Sequence, residues 1–514
     1  MQRDTVVILG IPVDNVTLSE AVERIFQLVG DYKNDGVPRQ VATVNVDFIV
    51  NTLTWEQGGV RHPELLDVLR RADLVTADGM PVVWMSRLLG CPLKERVTGA
   101  DLVPALAAQA ARRGVSLFFL GGRGDVGRRA ADLLVRQNPD LKVAGVSAPF
   151  VYTEGEQLAA FEAEDAAIVE EINAARPDVL LIAFGNPKQE LWFARNALRL
   201  KVPVSIGIGG TFEFIVGTVP RAPLWIQRAG LEWVYRILME PQRLWKRYAV
   251  GTVKFALHAW PAIRLYRKNR ARLAVAAPAA PPVDPAGRAF EDDICTFTLP
   301  ARLDAVAARD LAPAVDEARR DHRHLILDFG PVQFIDSSGL GFLVHLWRRH
   351  LGGAAPLTLV ALGEQALELF RFNRIADLFQ KHIFKNQEEA LAHIRLEQAV
   401  KGAPYRVYTL RSGTAVVALR GRLDALAMRD FSFDKLLPAL DGRNCILDLG
   451  QLEFADSTGL VAFHRVQRHV ARQGKICTLC SPNPAVLQLL QLTRFDRLFV
   501  ITDDRHLLLE ASVP

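Results

Sequence analysis

A carboxylate that ends an apolar run is the first candidate for chemistry in this chain. Asp78 closes "LVTADG" at residues 74–79, just before a second apolar run begins at Met80-Pro81. Asp-Gly between two hydrophobic runs usually marks a tight hairpin. If the flanking strands are parallel, a two-residue hairpin is ruled out and Asp78 falls at a strand end, where α/β folds build ligand sites. A carboxylate there can take a proton from a hydroxyl. Other polar residues also follow apolar runs. "VATVN" ends in Thr43 and Asn45, "LFFLGGRGDVG" carries Gly121, Gly122 and Gly124, "FGNPKQE" carries Gly185, Asn186, Lys188 and Gln189, and "GIGGTF" carries Gly207, Gly209, Gly210 and Thr211. Glycine-bearing turns that open helices can hold phosphate on backbone N–H groups.

The chemistry has bounds. Gly121–Gly124 is not GxGxxG, which disfavours a dinucleotide oxidoreductase; that reading would require NAD(P) binding. There is no GK[ST] loop, GxSxG or HExxH, and no Asp-x-Asp in the first 250 residues, so a carboxylate-held metal site is not expected. Neither cofactor nor metal is implied.

The elements that must position these groups are strands and helices in alternation. "TVVILG", "QVATVNVDFIV", "ADLVTA", "VSLFFLGG", "LKVAGV", "VLLIAFG" and "VPVSIGIGG" read as buried strands, with amphipathic helices between them. Continuous apolar strands separated by helices predict an α/β domain over residues 1–240 with a Rossmann-like, largely parallel sheet. The short apolar run near the N-terminus, flanked by Asp4 and Asp14, reads as a first strand and not a signal peptide. No stretch reaches the roughly 18–20 apolar residues of a membrane span.

Residues 241–272 change character. Nine basic residues (Arg243, Lys246, Arg247, Lys254, Arg264, Arg267, Lys268, Arg270 and Arg272) interleave with Trp245, Tyr248, Phe255, Trp260 and Tyr266, without Asp or Glu. Basic charge with interfacial aromatics suits an anionic membrane surface. Lys254, His258 and Pro261 interrupt the apolar run, so the segment is expected to lie on a bilayer. The alternative is a solvated basic helix packed on the domain. No nucleic-acid module accompanies the patch, and no nucleic-acid partner is expected. An Ala/Pro linker follows over 273–290.

Beyond the linker the chain repeats itself at an offset of 120. "ILDFGPVQFIDSSGLGF" (326–342) returns as "ILDLGQLEFADSTGLVA" (446–462), and "FNRIADLF" (372–379) as "LTRFDRLF" (492–499). Two tandem α/β domains of one fold are predicted, over 291–398 and 399–514. Of the five cysteines, Cys477 and Cys480 form a CxxC whose counterpart is "LTLV", a plain strand. So few cysteines predict a reducing compartment without disulfides.

Taken in order, "LGIPVDNVT", "VATVN", "ADG", "KERVTGADL", "FGNPKQE", "GIGGTFEFIVGTVPRAP" and "LEWVYRILMEPQR" closely resemble the WecG/TagA/CpsF glycosyltransferases over about residues 5–250. The resemblance implies an inverting, metal-independent enzyme. It would move a sugar, of the N-acetylmannosamine type or a related hexose, from a UDP-sugar to a polyprenyl-diphosphate-linked sugar in surface-glycan synthesis, working peripherally on the cytoplasmic face of the membrane. The family's base falls on Asp78. Its other residues fall on Thr43, Asn45, Arg96 and Gln189, with C-terminal arginines among Arg221, Arg228, Arg236 and Arg243. Gly79, Gly121, Gly122, Gly185, Lys188, Gly209 and Gly210 complete the expected binding set. One departure is Val44, where many relatives carry proline.

The two repeats resemble STAS domains of anti-sigma-factor antagonists, on "DSSGL" and "DSTGL". The resemblance implies a hydroxyl open to phosphorylation at Ser338 and Thr458, with a kinase or protein partner at that surface. The alternative is that Asp336/Ser337 and Asp456/Ser457 only cap helices. The competing reading of the whole chain is a regulatory scaffold that binds a nucleotide sugar without turnover.

Overall fold

The computed structural model describes residues 4–149, 162–228, 230–239, 241–276, 288–291, 294–321, 324–351, 357–379, 382–399, 405–410, 412–423, 436–455 and 457–502. The chain divides into two compact units, residues 1–390 and 391–514.

The first unit begins β1 (Thr5–Ile8), β2 (Ile11–Asp14), α1 (Leu18–Asp35), β3 (Arg39–Val44), α2 (Val46–Thr52), α3 (Pro63–Arg71), β4 (Leu74–Ala77), α4 (Met80–Leu88) and α5 (Gly99–Arg113). It continues β5 (Ser116–Gly121), α6 (Val126–Gln137), β6 (Lys142–Ser147), α7 (Glu162–Ala175), β7 (Val179–Ala183), α8 (Lys188–Asn196) and β8 (Val204–Gly207). Four helices follow: α9 (Thr211–Val216), α10 (Leu224–Arg228), α11 (Glu232–Met239) and α12 (Pro241–Ala276).

Six strands form one parallel sheet in the order β4-β3-β8-β7-β5-β6. Its inner strands are buried on both faces, which explains their unbroken apolar sequence. Helix ends match their sequence signals. Thr17 and Glu20 form a capping box at α1, and Thr98 caps α5, which stops at left-handed Gly114.

One expected sheet member is elsewhere. "TVVILG" is not part of the parallel sheet; β1 pairs antiparallel with β2 in a separate hairpin. Leu9 and Gly10 turn the hairpin with φ of 50° and 92°, the doubly positive backbone of a tight hairpin turn.

The rest of the unit is the first repeat. Strands β9 (Arg288–Glu291), β10 (Ile294–Thr298), β12 (His324–Asp328), β14 (Leu357–Val360) and β15 (Ile383–Phe384) form a sheet in the order β15-β14-β12-β10-β9. A small pair, β11 (Arg302–Leu303) and β13 (Phe334–Ile335), precedes the helix Ser337–Leu351. One hydrophobic core runs without a break from β1, β2 and α2–α4, past Ala259, Ala262, Ile263 and Tyr266 of α12, into Cys295, Leu325, Leu343 and Phe370 of the repeat. The second core of this unit fills the sheet face under α1, α5 and α6.

The second unit carries the same strand order in β16 (Tyr405–Thr409), β17 (Ala415–Leu423), β18 (Cys445–Ala455), β19 (Cys477–Cys480) and β20 (Val500–Thr502). The CxxC is strand β19 itself, and none of the five cysteines is in a disulfide. Of the expected linker over 273–290, residues 273–276 belong to α12 and 288–290 to β9, while 277–287 lie outside the described residues.

Candidate active site

The parallel register sets Val44 of β3 beside Ala77 of β4, so Asn45 and Asp78 emerge together at the carboxyl edge. The Asp78 N–H donates to the Val44 carbonyl at 2.8 Å. Gly79 then opens α4 at φ 145°, a conformation L side chains rarely adopt, and Pro81 sits in the first turn of that helix. Asn45 caps α2, accepting from the Asp47 N–H at 3.0 Å.

Asp78 is half-buried, and burial pushes its carboxyl up to about 7. Arg96 and Arg236 pull it back, while Glu232 and Asp101 add to the rise. Arg96, Glu232 and Asp101 close a ring of charge with Arg221. Arg96 donates to Glu232 at 2.6 Å and lies 3.5 Å from Asp101; Arg221 donates to Asp101 at 2.5 Å and lies 3.6 Å from Glu232. Each guanidinium thus spans both carboxylates. Arg236 stands apart from the ring, its guanidinium 5.1 Å above the Phe214 ring centroid. Its buried Nε has no hydrogen-bond partner among the described residues. A proton acceptor facing Arg96 and Arg236, with Arg221 on the same carboxylates as Arg96, suits attack by an alcohol and departure of an anion.

Behind this edge lies a buried polar web. The Thr43 hydroxyl donates to the Gly207 carbonyl at 2.9 Å and ties β3 to β8. Gln189 Oε1 accepts from both Gly209 N at 2.9 Å and Gly185 N at 3.2 Å, so one oxygen holds two strand-end loops. Gln189 Nε2 donates to Glu190 at 2.7 Å, and Asn186 to Glu190 at 3.3 Å. Burial pushes Glu190 up to about 8. Gly207 leaves room for this web: a Cβ there would stand 2.6 Å from both Gln189 Nε2 and Glu190 Oε1 and push one of them aside. Gly121, Gly122, Gly185 and Gly209 all take positive φ at the same carboxyl edge, Gly210 precedes α9, and Lys188 opens α8.

Sequence reasoning thus finds Asp78, Asn45, Arg96, Arg221 and Arg236 in one neighbourhood, and Thr43 and Gln189 buried beneath it. It missed Asp101, Glu232 and Glu190, although all three stand inside the quoted motifs. The side chains of Arg228 and Arg243 lie outside the described residues. Among the described residues, no group of three or more His, Cys, Asp or Glu side chains could hold a metal ion.

The basic segment is better described as part of one 36-residue helix, α12. Lys254 and His258, which interrupt the apolar run, are buried on its inner face. Lys254 donates to the Val50 carbonyl at 3.0 Å, and the His258 ring lies 3.0 Å from the Thr54 carbonyl. The opposite face exposes Val250, Val253, Leu257 and Trp260, spaced by three and four residues, with Arg264 and Arg267 continuing the stripe. Among the described residues, no helix is long and apolar enough to cross a membrane.

In the first repeat Asp336 caps the motif helix, accepting from Ser338 N at 2.8 Å and Gly339 N at 2.9 Å. Ser338, expected at an open partner surface, is buried within reach of the Cys91 thiol. The side chain of its counterpart Thr458 lies outside the described residues.

Known families and proteins resemble both parts of the chain. The model of the WecG/TagA/CpsF glycosyl transferase family matches residues 6–270, a STAS domain model matches 289–390, and a Mlab-type STAS domain model matches 407–503. An N-acetylglucosaminyldiphosphoundecaprenol N-acetyl-beta-D-mannosaminyltransferase of Bacillus subtilis is 30% identical over 257 residues, covering 50% of this chain and 91% of the relative. The protein of that name from Bacillus spizizenii is 32% identical over 188 residues, covering 37% of this chain and 68% of the relative. A solved anti-sigma-factor antagonist (STAS) domain protein from Planctomyces limnophilus is 25% identical, covers 21% of this chain and 98% of its own, and has a TM-score of 0.19.

Proposed function

Since the chain belongs to the WecG/TagA/CpsF glycosyltransferase family, we propose that it moves an N-acetylmannosamine-type sugar from a UDP-sugar to a polyprenyl-diphosphate-linked N-acetylglucosamine. The observation that carries this reading is Asp78 at the strand edge beside Arg96 and Arg236, with Arg221 joined to Arg96 through Asp101 and Glu232. Its relatives are named for that transfer.

Asp78 takes the proton from the acceptor hydroxyl as that oxygen attacks the anomeric carbon. The bond from that carbon to the UDP oxygen breaks on the opposite face, which inverts the configuration. Negative charge gathers on the departing diphosphate, and arginine forks meet it without a metal. Arg236 has an unpaired donor for this purpose. Arg96 and Arg221 release their carboxylates as the diphosphate arrives. Asn45 and the glycine turns at 121–122, 185 and 209–210 border the sugar nucleotide, Lys188 faces its charge, and Thr43 and Gln189 hold those turns in place.

The acceptor is a lipid, and the exposed stripe of α12 provides the contact with an anionic inner membrane surface. Binding to vesicles of anionic lipid should weaken with salt and fall when Trp260 becomes alanine; equal binding to neutral vesicles contradicts the electrostatic part. The STAS modules serve partner contacts or regulation rather than chemistry. The test of the whole reading is Asp78→Asn with purified protein, UDP-sugar and lipid-linked acceptor, following UDP release. Undiminished release from a normally folded variant removes Asp78 as the base, and no release from the parent protein returns the scaffold reading.

A further inference from the structure

The β1–β2 hairpin is one of the transferase elements that the first STAS module grips. Its tip is held by arginines from both sides. Arg374 of the module donates to the Leu9 carbonyl at 3.2 Å, and Arg70 of α3 donates to the Gly10 carbonyl at 3.2 Å. Arg70 also donates to the Arg374 carbonyl and pairs with Asp377 at 3.0 Å. Arg348 of the motif helix donates to the Arg70 carbonyl, and Arg71 lies 5.6 Å from the ring centroid of Trp347.

Two contacts are closer than any side chain allows. A Cβ at Gly341, on the motif helix, would fall 1.8 Å from the Thr5 carbonyl oxygen of β1. A Cβ at Gly10 would fall 2.6 Å from the Asn373 carbonyl oxygen. Backbone therefore meets backbone at both places.

The second module has nearly the same fold and a different face. At the offset of 120, Gly341 becomes Val461, Trp347 becomes Gln467 and Asp377 becomes Arg497. Val461 is 62% exposed on its own motif helix, so the substitution is compatible with that fold. Placed against β1, the valine would collide with the Thr5 carbonyl. Arg497 would set a cation against Arg70, which is itself buried beside Arg374, where burial and the neighbouring Arg70 push the Arg374 guanidinium down to about 10.

We propose that the β1–β2 hairpin is a selective docking element that accepts the first STAS module and rejects the second, and that Gly341 and Asp377 are the residues that decide. The first module is thereby a resident part of the transferase unit. Its motif helix meets the hairpin at Gly341, and Ser338 is buried against Cys91.

The experiment is amide hydrogen exchange on the full chain carrying Gly341→Val and Asp377→Arg, the residues the second module has there. Exchange over residues 5–14 should quicken by about tenfold or more, with β10, β12 and β14 keeping their protection. A chain with the reciprocal Val461→Gly and Arg497→Asp changes should leave the hairpin as in the parent. Unchanged protection at 5–14 in the first variant overturns the proposal. So does lost protection throughout β10, β12 and β14, since the two residues would then serve the module's own fold.

Discussion

Two groups of arginines lie in the first unit, and they are built for opposite purposes. Arg96 and Arg221 face carboxylates at a half-exposed rim, where every partner is a mobile side chain. Arg70 and Arg374 are buried and reach backbone carbonyls of fixed elements, Arg70 those of Gly10 and Arg374, and Arg374 that of Leu9. A side-chain carboxylate can swing aside when a diphosphate offers a better bidentate match. A carbonyl in a hairpin turn cannot. The first group can exchange partners during a reaction cycle; the second can only hold.

The comparison is broken most sharply through the group that the first set surrounds. Asp78→Asn should lower transfer by roughly 10³-fold, the ordinary contribution of a general base. Because burial raises this carboxyl, the folded state binds a proton that the unfolded chain has already released between about pH 4 and 7. Asp78 therefore lowers stability as pH rises through that window, and the asparagine variant should melt higher than the parent at pH 8. Loss of both turnover and melting temperature would mean that Asp78 is structural.

Next in size, Arg221→Ala should cut kcat by about 10²-fold with little change in melting temperature. Arg70→Ala should do the reverse, costing about 3 kcal/mol of stability through several lost charged hydrogen bonds. If both substitutions act alike, the division between exchanging and holding arginines fails. The smallest effect concerns pH. The acid limb of kcat/KM should lie near pH 7, and Arg236→Gln should move it upward, because a removed cation raises Asp78 further. A limb that stays in place excludes Arg236 as a neighbour in the working state.

These contrasts also show what can be read from residues alone. Asp78 and the glycine turns were legible because a parallel sheet leaves little choice about where its strands end. Arg96 and Arg221 were legible only through motif order. Their carboxylate partners were hidden, because Asp101 reads as an ordinary first-turn acid of a helix capped by Thr98. The hairpin was illegible for a plainer reason. "TVVILGIPVD" is buried on all sides, so no alternation separates two strands from one, and the turn falls on Leu9, a residue that rarely takes positive φ. The burial of Lys254 and His258 was not legible, because a polar residue inside an apolar run looks like an interruption. Here each meets a carbonyl of the α2 region and becomes part of the interior.

Helix α12 has one side against Tyr266's neighbours in the first STAS module, where the phenol accepts from Asn373 at 3.2 Å, and the other side bare. If its bare stripe lies on a bilayer as proposed, that module would stand off the lipid by about one helix diameter, roughly 10 Å. It would hover just above the headgroups, close enough to be crowded by them, and its distance would be fixed by a single rod of backbone rather than by a tether.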